Sequence, residues 1–295
     1  MVKLLVYKSV EELLLILLLM RYICRCLFAM FTLGLGSLCA AGESIEQPLW
    51  EWGAGFGGSS LPQYMGSDER YAIPFAFPYL IYRGEHWRVD TSGVKNQVVD
   101  SEKYTVELSL SGGLPVRNDN QARAGMPELL LNAEIGAKLN WYLSESGDES
   151  WIIRLPVRAV IDIEGKYNGW VVDPVLTRRY YYPVKHGFLK TYIDIGLQYN
   201  SSRYHEIYYG VDAQYVTPNR TAYQARQGLH SLFAKMWIKY PWSQQTELFA
   251  TLQTRSLAVG VVSDSPLVKS QTYSTLTLGA IWLFSTSDEM VSIRE

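Results

Sequence analysis

Residues 129–142 read LLLNAEIGAKLNWY, and residues 151–164 read WIIRLPVRAVIDIE. In each run apolar residues occupy every second position, and polar, charged or small residues occupy most positions between them. Because successive side chains of a β-strand point to opposite faces, this period of two predicts two long strands, each with one apolar face. The turn-rich residues 144–150 between them predict a hairpin.

The same alternation recurs through the chain after residue 42. It predicts eleven strands, near 49–57, 72–82, 86–98, 103–113, 128–143, 151–164, 169–182, 188–200, 228–240, 245–257 and 272–284. No linker, charge block or repeat divides them, so we expect one all-β domain over 49–284. If these strands form a transmembrane barrel, their number should be even, because single-chain bacterial barrels have even strand numbers. A further strand at Arg203–Asp212 would give twelve, which we favour, and the fusion of two early strands would give ten.

Composition limits the class of protein. The 295 residues are 48% hydrophobic and 19% charged, with a formal net charge of −2. This balance excludes a disordered chain and argues against nucleic acid as a partner, because a phosphate-binding surface needs a basic excess. The chain has 21 Tyr and 9 Trp against 9 Phe. Tyr and Trp suit surfaces that are part apolar and part wet.

Residues 1–41 are expected to be a secretory signal peptide that is cleaved after Ala41, with a true start at Met1 or Met20. The alternatives are a transmembrane anchor and a lipoprotein anchor at Cys39. All three cysteines lie before residue 40, so the mature chain would hold none. Residues 42–48 would form a short periplasmic lead, and 285–295 a C-terminal tail.

The apolar strand faces are expected to point outward, into lipid. A barrel of 10–12 strands has an interior too wide for Leu and Ala to fill, and several strands exceed 11 residues. Four charges share the other face of 151–164, and outward-facing Arg would cost about 2–4 kcal/mol near the bilayer centre. We therefore expect an interior charge network formed by Arg154, Arg158, Asp162 and Glu164. The alternative is a secreted β-sandwich.

Four short motifs point to a family. They are Tyr64-Met65-Gly66-Ser67-Asp68-Glu69 followed by Pro74 and Pro78, Gly125-Met126-Pro127, Tyr208-Tyr209-Gly210-Val211, and Ser265-Pro266-Leu267-Val268. In this order, on an alternating pattern, they resemble the MltA-interacting protein (MipA)/OmpV family of outer-membrane proteins, over roughly residues 50–284.

The resemblance implies a transmembrane antiparallel up-and-down β-barrel in the outer membrane. It also implies a scaffold that brings a lytic murein transglycosylase together with a murein polymerase of the bifunctional penicillin-binding type. Other members are described as surface antigens, adhesins or porin-like proteins, so a solute channel or an adhesin is the alternative. The family carries no agreed catalytic residues. The four motifs are expected in loops and strand ends, either shaping the rim or docking the enzymes, with Gly66 and Gly210 able to adopt positive φ.

No catalytic or metal-ligand spacing is found. His230 and Ser231 are adjacent, but neighbours in a regular strand point to opposite faces, which argues against a nucleophilic pair. Asp162 and Glu164 are better explained by the charge network than by paired-carboxylate catalysis. A last cluster could bind lipopolysaccharide phosphates or form a solvated loop beside the lipid; it comprises Arg178, Arg179, Tyr180, Tyr181, Tyr182 and Lys185. A non-enzymatic protein without cofactor is expected, in contact with outer-membrane lipid and lipopolysaccharide.

Overall fold

The computed structural model describes residues 46–84, 87–90, 93–96, 99–100, 103–116, 119–146 and 148–292. They belong to one compact unit that extends from Glu43 to Glu295. The predicted signal peptide and its cleavage site at Ala41 lie outside the described residues.

Sixteen strands and one α-helix are assigned within these ranges. The strands are β1 Glu46–Pro48, β2 Trp50–Pro62, β3 Arg70–Arg83, β4 Trp87–Asp90, β5 Gly93–Asn96, β6 Val99–Asp100, β7 Tyr104–Gly113, β8 Asn132–Ser146, β9 Glu149–Asp162, β10 Tyr167–Val172, β11 Val175–Val184, β12 Gly187–Asn200, β13 Gly228–Pro241, β14 Thr246–Ser256, β15 Thr272–Thr286 and β16 Met290–Ser292. The helix, α1, is Ser202–Tyr209, and short 3-10 turns occur at Gln121–Arg123 and Ala213–Tyr215. Among the described residues, no helix has the length and apolar character needed to cross a bilayer.

Fourteen strands form one antiparallel sheet in the order β5-β4-β3-β2-β15-β14-β13-β12-β10-β9-β8-β7-β6, and β11 pairs with β9 and β12. The pairing of β2 with β15 joins the first and the last long strands of the sheet, with Glu51 opposite Thr286. The strands at the ends of this order, β5 and β6, are consecutive in the chain, and β5 also lies beside β7. This up-and-down arrangement confirms the predicted all-β class and is consistent with a barrel. β1 and β16 form a separate two-stranded sheet.

The structure corrects how the even strand number arises. β10 and β11 both pair with β9 and β12, so they are one strand interrupted at 173–174. β5 and β6 run in the same direction and are two residues apart. If β10 and β11 are counted as one strand, and β5 and β6 as another, the fourteen-strand sheet has twelve strands. The expected strand at Arg203–Asp212 is wrong, because most of it is α1. The twelfth strand comes instead from 86–98, which divides into the hairpin of β4 and β5.

The two faces of the sheet have the predicted polarity. On the outer face large apolar side chains are exposed, for example Leu278 at 52% and Val157 at 48%. On the inner face charged side chains are buried, with Asp194 at 2% and Arg158 at 8%. This is the reverse of the usual distribution in a water-soluble protein. It agrees with the register expected from the sequence.

The two ends of the sheet differ. At one end lie the long connections, residues 63–69, 114–116 with 119–131, 201–227 and 257–271, which together we call the cap. At the other end, which we call the turn end, lie β1, β16 and short turns such as 185–186 and 242–245. Both the first and the last described strands are therefore at the turn end, opposite the cap.

Candidate functional site

The structure brings all four sequence motifs together in the cap. The Tyr64 hydroxyl donates to the carbonyl of Leu267 at 2.6 Å, and the Tyr209 hydroxyl donates to the carbonyl of Met65 at 2.8 Å. The Ser265 hydroxyl donates to the carbonyl of Tyr209 at 2.8 Å. Three motifs that are far apart in sequence are thus joined directly by hydrogen bonds. Burial raises the pKa of the Tyr64 phenol well above its usual value, so it remains a donor.

The Gly125-Met126-Pro127 motif is held by Arg123. This buried guanidinium donates to the carbonyl of Tyr208 at 2.9 Å and to that of Pro127 at 3.3 Å. Met126 packs in a small apolar cluster with Val211 and Leu267. A cation that satisfies two loop carbonyls in a buried site fixes the position of both loops.

The remaining motif residues shape the turns. Ser67 is buried and accepts a hydrogen bond from the Asn120 side chain at 3.2 Å, while Asp68 is exposed and Pro266 is half-buried beside Ser265. Gly66 has a φ of +98°, as expected for a turn glycine. The expectation for Gly210 is wrong, because its φ is −67°. Gly210 is required for a different reason: a Cβ there would lie 2.5 Å from the carbonyl oxygen of Glu206, at the end of α1.

Helix α1 packs on the inner side of the cap against strands that are near neighbours in the sheet. On one side Tyr204 packs with Val160 and Val171 of β9 and β10. On the other side the Tyr209 hydroxyl lies 2.8 Å from Nε2 of His230 in β13. Ser201 caps the helix, accepting from the amide of Tyr204 at 3.3 Å. The helix is therefore anchored to strands on one side of the sheet, β9, β10 and β13, at its cap end.

His205 of α1 stacks on His230 of β13. The rings of His205 and His230 are 5.5 Å apart and within 28° of parallel, and both are fully buried. His205 Nδ1 donates to the carbonyl of Arg226 at 2.6 Å, but its Nε2 has no partner among the described residues. Burial lowers the pKa of His205, and the bond to Arg226 opposes this only in part. The cap is thus built around a neutral His205.

The geometric argument against a pair formed by His230 and Ser231 is wrong. A bulge in β13, at the register shift opposite Gln198 and Tyr199, turns both side chains inward, and His230 Nδ1 lies 2.9 Å from Ser231 Oγ. Arg255 also donates to that hydroxyl at 2.6 Å. Both residues are fully buried. The pair therefore supports the cap from below and is closed to a substrate in this arrangement.

The expected network of four charges in β9 and its turn is also corrected. Arg158 pairs with Glu134 at 2.8 Å and with Asp173, both from neighbouring strands. Asp162 instead caps the turn after β9, accepting from the amides of Glu164 and Lys166. Glu164 is exposed in that turn. Sequence identified the charged face but not the partners, because pairing across strands depends on register.

Arg154 lies apart from these pairs. Its guanidinium carbon is 5.8 Å from the centre of the Tyr192 ring, on the inner face. No hydrogen bond or ion pair from Arg154 is present within the described part of the chain. Of the four expected network residues, only Arg158 therefore forms an interior ion pair there.

At the turn end, a different set of buried charged side chains links neighbouring strands. Glu51 pairs with Arg83 at 2.8 Å and accepts from the Tyr79 hydroxyl at 3.1 Å. Lys239 pairs with Glu247 at 2.7 Å and donates to the same hydroxyl. These buried groups link β2, β3, β13 and β14, which makes the turn end a fixed part of the wall.

The cluster considered as a lipopolysaccharide site or a solvated loop lies mostly in strand β11, and its side chains are divided between two faces. Arg179 and Tyr181 are buried on the inner face, where Arg179 donates to Ser150 at 2.8 Å. Arg178 pairs with Glu149 at 2.9 Å, and Tyr182 is 54% exposed on the other face. The cluster lies at the turn end and does not form one phosphate-binding surface. Tyr180 and Lys185 belong to the same strand and turn.

Several residues that build the cap were not identified from the sequence, among them Asn120, Arg123, Tyr204 and His205. A signal was present for α1: Ser201 precedes the helix, and aromatic or imidazole rings occur four residues apart at 204, 205, 208 and 209, which is a helical spacing. In the part of the chain that the structure describes, no group of three His, Cys, Asp or Glu side chains is placed to hold a metal ion.

Comparison with known proteins gives one family. The family model described as MltA-interacting protein MipA matches residues 54–284, a range that includes the whole cap and most of the sheet. No curated protein matches the chain.

Proposed function

The chain belongs to the MltA-interacting protein MipA family, and on this premise we propose that it is a β-barrel of the outer membrane that holds a murein transglycosylase at its periplasmic end. The observation that carries the proposal is the family match over 54–284, together with an apolar outer face and a charged inner face. The predicted signal peptide over 1–41 would direct export, and the outer face would contact membrane lipid.

The mechanism is that of a scaffold. A transglycosylase that cuts glycan strands and a penicillin-binding murein polymerase that makes them would be held on one platform. Tethering raises the effective concentration of each enzyme for the other without any new catalytic group. This accounts for a protein in which the buried polar side chains serve structural roles.

The docking surface belongs at the turn end. Barrels of the outer membrane have short periplasmic turns and longer extracellular loops. By this rule the cap faces outward from the cell and the turn end faces the periplasm, where murein enzymes act. The family motifs, which are in the cap, then hold the barrel in shape and do not form the docking surface.

Site-specific crosslinking in whole cells tests this proposal. A photo-reactive residue is placed at Gln244, exposed in the turn between β13 and β14, and in a matched variant at Asp264, exposed in the cap. We expect a membrane-bound lytic transglycosylase to be captured from position 244 and not from 264. Capture from 264 alone, or of no murein enzyme from either position, would overturn the proposal.

A solute channel is the second candidate, because several inner-face side chains between the two ends remain partly exposed, Lys235 among them. Purified protein in planar bilayers distinguishes the two functions. A scaffold whose cap loops pack together through hydrogen bonds should give no stable conductance steps, and regular open-state steps would favour the channel.

A further inference from the structure

The inner face of the sheet carries a row of aromatic rings between the cap and the turn end. Phe75 and Phe249 have ring centres 6.5 Å apart and lie within 24° of parallel, and Phe77 is 6.3 Å from Phe249. Further along the wall, Tyr192 and Trp237 are direct neighbours in register, with ring centres 5.1 Å apart. These side chains are only partly buried, so they face open space inside the wall.

Glycines hold the phenylalanine rings flat against the backbone. A Cβ on Gly55 would lie 2.2 Å from the ring of Phe77, and a Cβ on Gly279 would lie 2.3 Å from the ring of Phe249. A ring that lies flat over a glycine projects less into the interior than a ring that points away from the backbone. The result is a broad apolar platform that leaves room beside it.

The platform ends at a local excess of positive charge. Asp194 is buried, and its two oxygens are taken by Lys235 at 2.8 Å and by the Thr177 hydroxyl at 2.7 Å. Arg154 also attracts this carboxylate and has no other anionic partner among the described residues. Two cations therefore share one anion, and 35% of the Lys235 side chain remains exposed although the pair is formed.

We propose that this inner face is a binding site for a small organic carboxylate with an apolar body. The body would lie on the rings of Trp237, Tyr192 and the phenylalanine platform, and the carboxylate would be bound by Lys235 and Arg154. A mostly apolar wall with a few convergent polar groups is the usual form of a small-molecule site. The added anion balances the second cation, which is the charge complementarity that selects a carboxylate over a neutral analogue.

The test uses the full chain purified in a non-ionic detergent and titration calorimetry against detergent blanks. The probes are 4-phenylbutyrate, its neutral amide, and acetate, which lacks the apolar body. We expect saturable binding of 4-phenylbutyrate, weaker binding of the amide, and none of acetate. The absence of saturable binding of 4-phenylbutyrate, or equal affinity for acid and amide, would overturn the proposal.

Substitutions test which side chains bind the carboxylate and which bind the apolar body. Lys235→Met and Arg154→Met should each weaken 4-phenylbutyrate about tenfold, the effect of one lost charge-assisted bond, and leave the amide unchanged. Trp237→Leu should weaken both probes, and the exposed turn variant Lys166→Met should change neither. Native folding of each variant is checked by its heat-dependent migration on a denaturing gel. Equal loss of acid and amide in folded Lys235→Met would show that the charge does not select the ligand.

Discussion

At the scale of single residues, the phenol of Tyr209 is the contact on which the cap depends most. It is fully buried and is the only side chain described here that joins α1 both to the 63–69 loop, through Met65, and to β13, through His230. Tyr209→Phe would leave a carbonyl and an imidazole nitrogen buried without a partner. We expect it to lower the free energy of unfolding by about 1–3 kcal/mol. Thermal unfolding in detergent measures this, with the exposed Tyr182→Phe as control, and equal stability of the two variants would contradict it.

His205 should make the cap sensitive to acid. Its pKa is lowered by burial, so the unfolded chain takes up the proton first, and stability falls as the pH drops below about 6.5. A proton on His205 would lie against the ring of His230. The other titratable or charged groups near the two histidines are Arg255, the phenols of Tyr204, Tyr208 and Tyr209, and Glu206 of the same helix.

Hydrogen exchange of Ser202–Tyr209 at pH 7.5 and 5.5, corrected for intrinsic rates, measures this effect. We expect protection to decrease at the lower pH in the native chain and to depend less on pH in His205→Gln. His186→Gln, in a turn at the other end, serves as control. An unchanged pH dependence in His205→Gln would assign the effect to another group.

At the scale of elements, inward-facing glycines set the shape of β2. Gly55→Ala would push a methyl group into the ring of Phe77, whereas a Cβ on Gly58 meets its nearest atom at 3.8 Å, an ordinary contact. We expect Gly55→Ala to cost about 1–3 kcal/mol, as overpacking does, and Gly58→Ala to be near neutral. Unfolding temperatures of the two proteins compare them directly, and a neutral Gly55→Ala would show that the ring moves freely.

The strands could largely be predicted from sequence, and the cap could not. Alternation identifies a strand and its faces, because each residue contributes independently to the pattern. A strand at 203–212 follows only from the requirement for an even strand number, whereas Ser201 and the four-residue spacing of rings favour the helix that is found there. The charge pairs and the bulge at His230 depend on register between strands, which one strand's sequence does not contain.

At the scale of the whole molecule, the proposed orientation across the outer membrane can be tested with single cysteine variants. All cysteines of the chain precede residue 40, so a chain that has lost its leader has none. Single variants Asp264→Cys in the cap and Gln244→Cys at the turn end are treated in intact cells with a maleimide that does not cross membranes. We expect labelling of 264 alone, and of 244 only after the outer membrane is made permeable. The opposite result would reverse the assignment of the two ends. The native chain is the control, because it should not be labelled once a leader that contains all of its cysteines has been removed.

The pairing of β2 with β15, and of β1 with β16, places the earliest and latest segments of the domain side by side. A sheet joined in this way is incomplete until β15, Thr272–Thr286, has been made. On the proposed placement in the outer membrane, we expect insertion to follow complete synthesis, with the incomplete chain kept from aggregating in the meantime. A product that ends before β15 would lose both the β2–β15 pairing and the β1–β16 pairing, and on the proposed location we expect envelope proteases to degrade it.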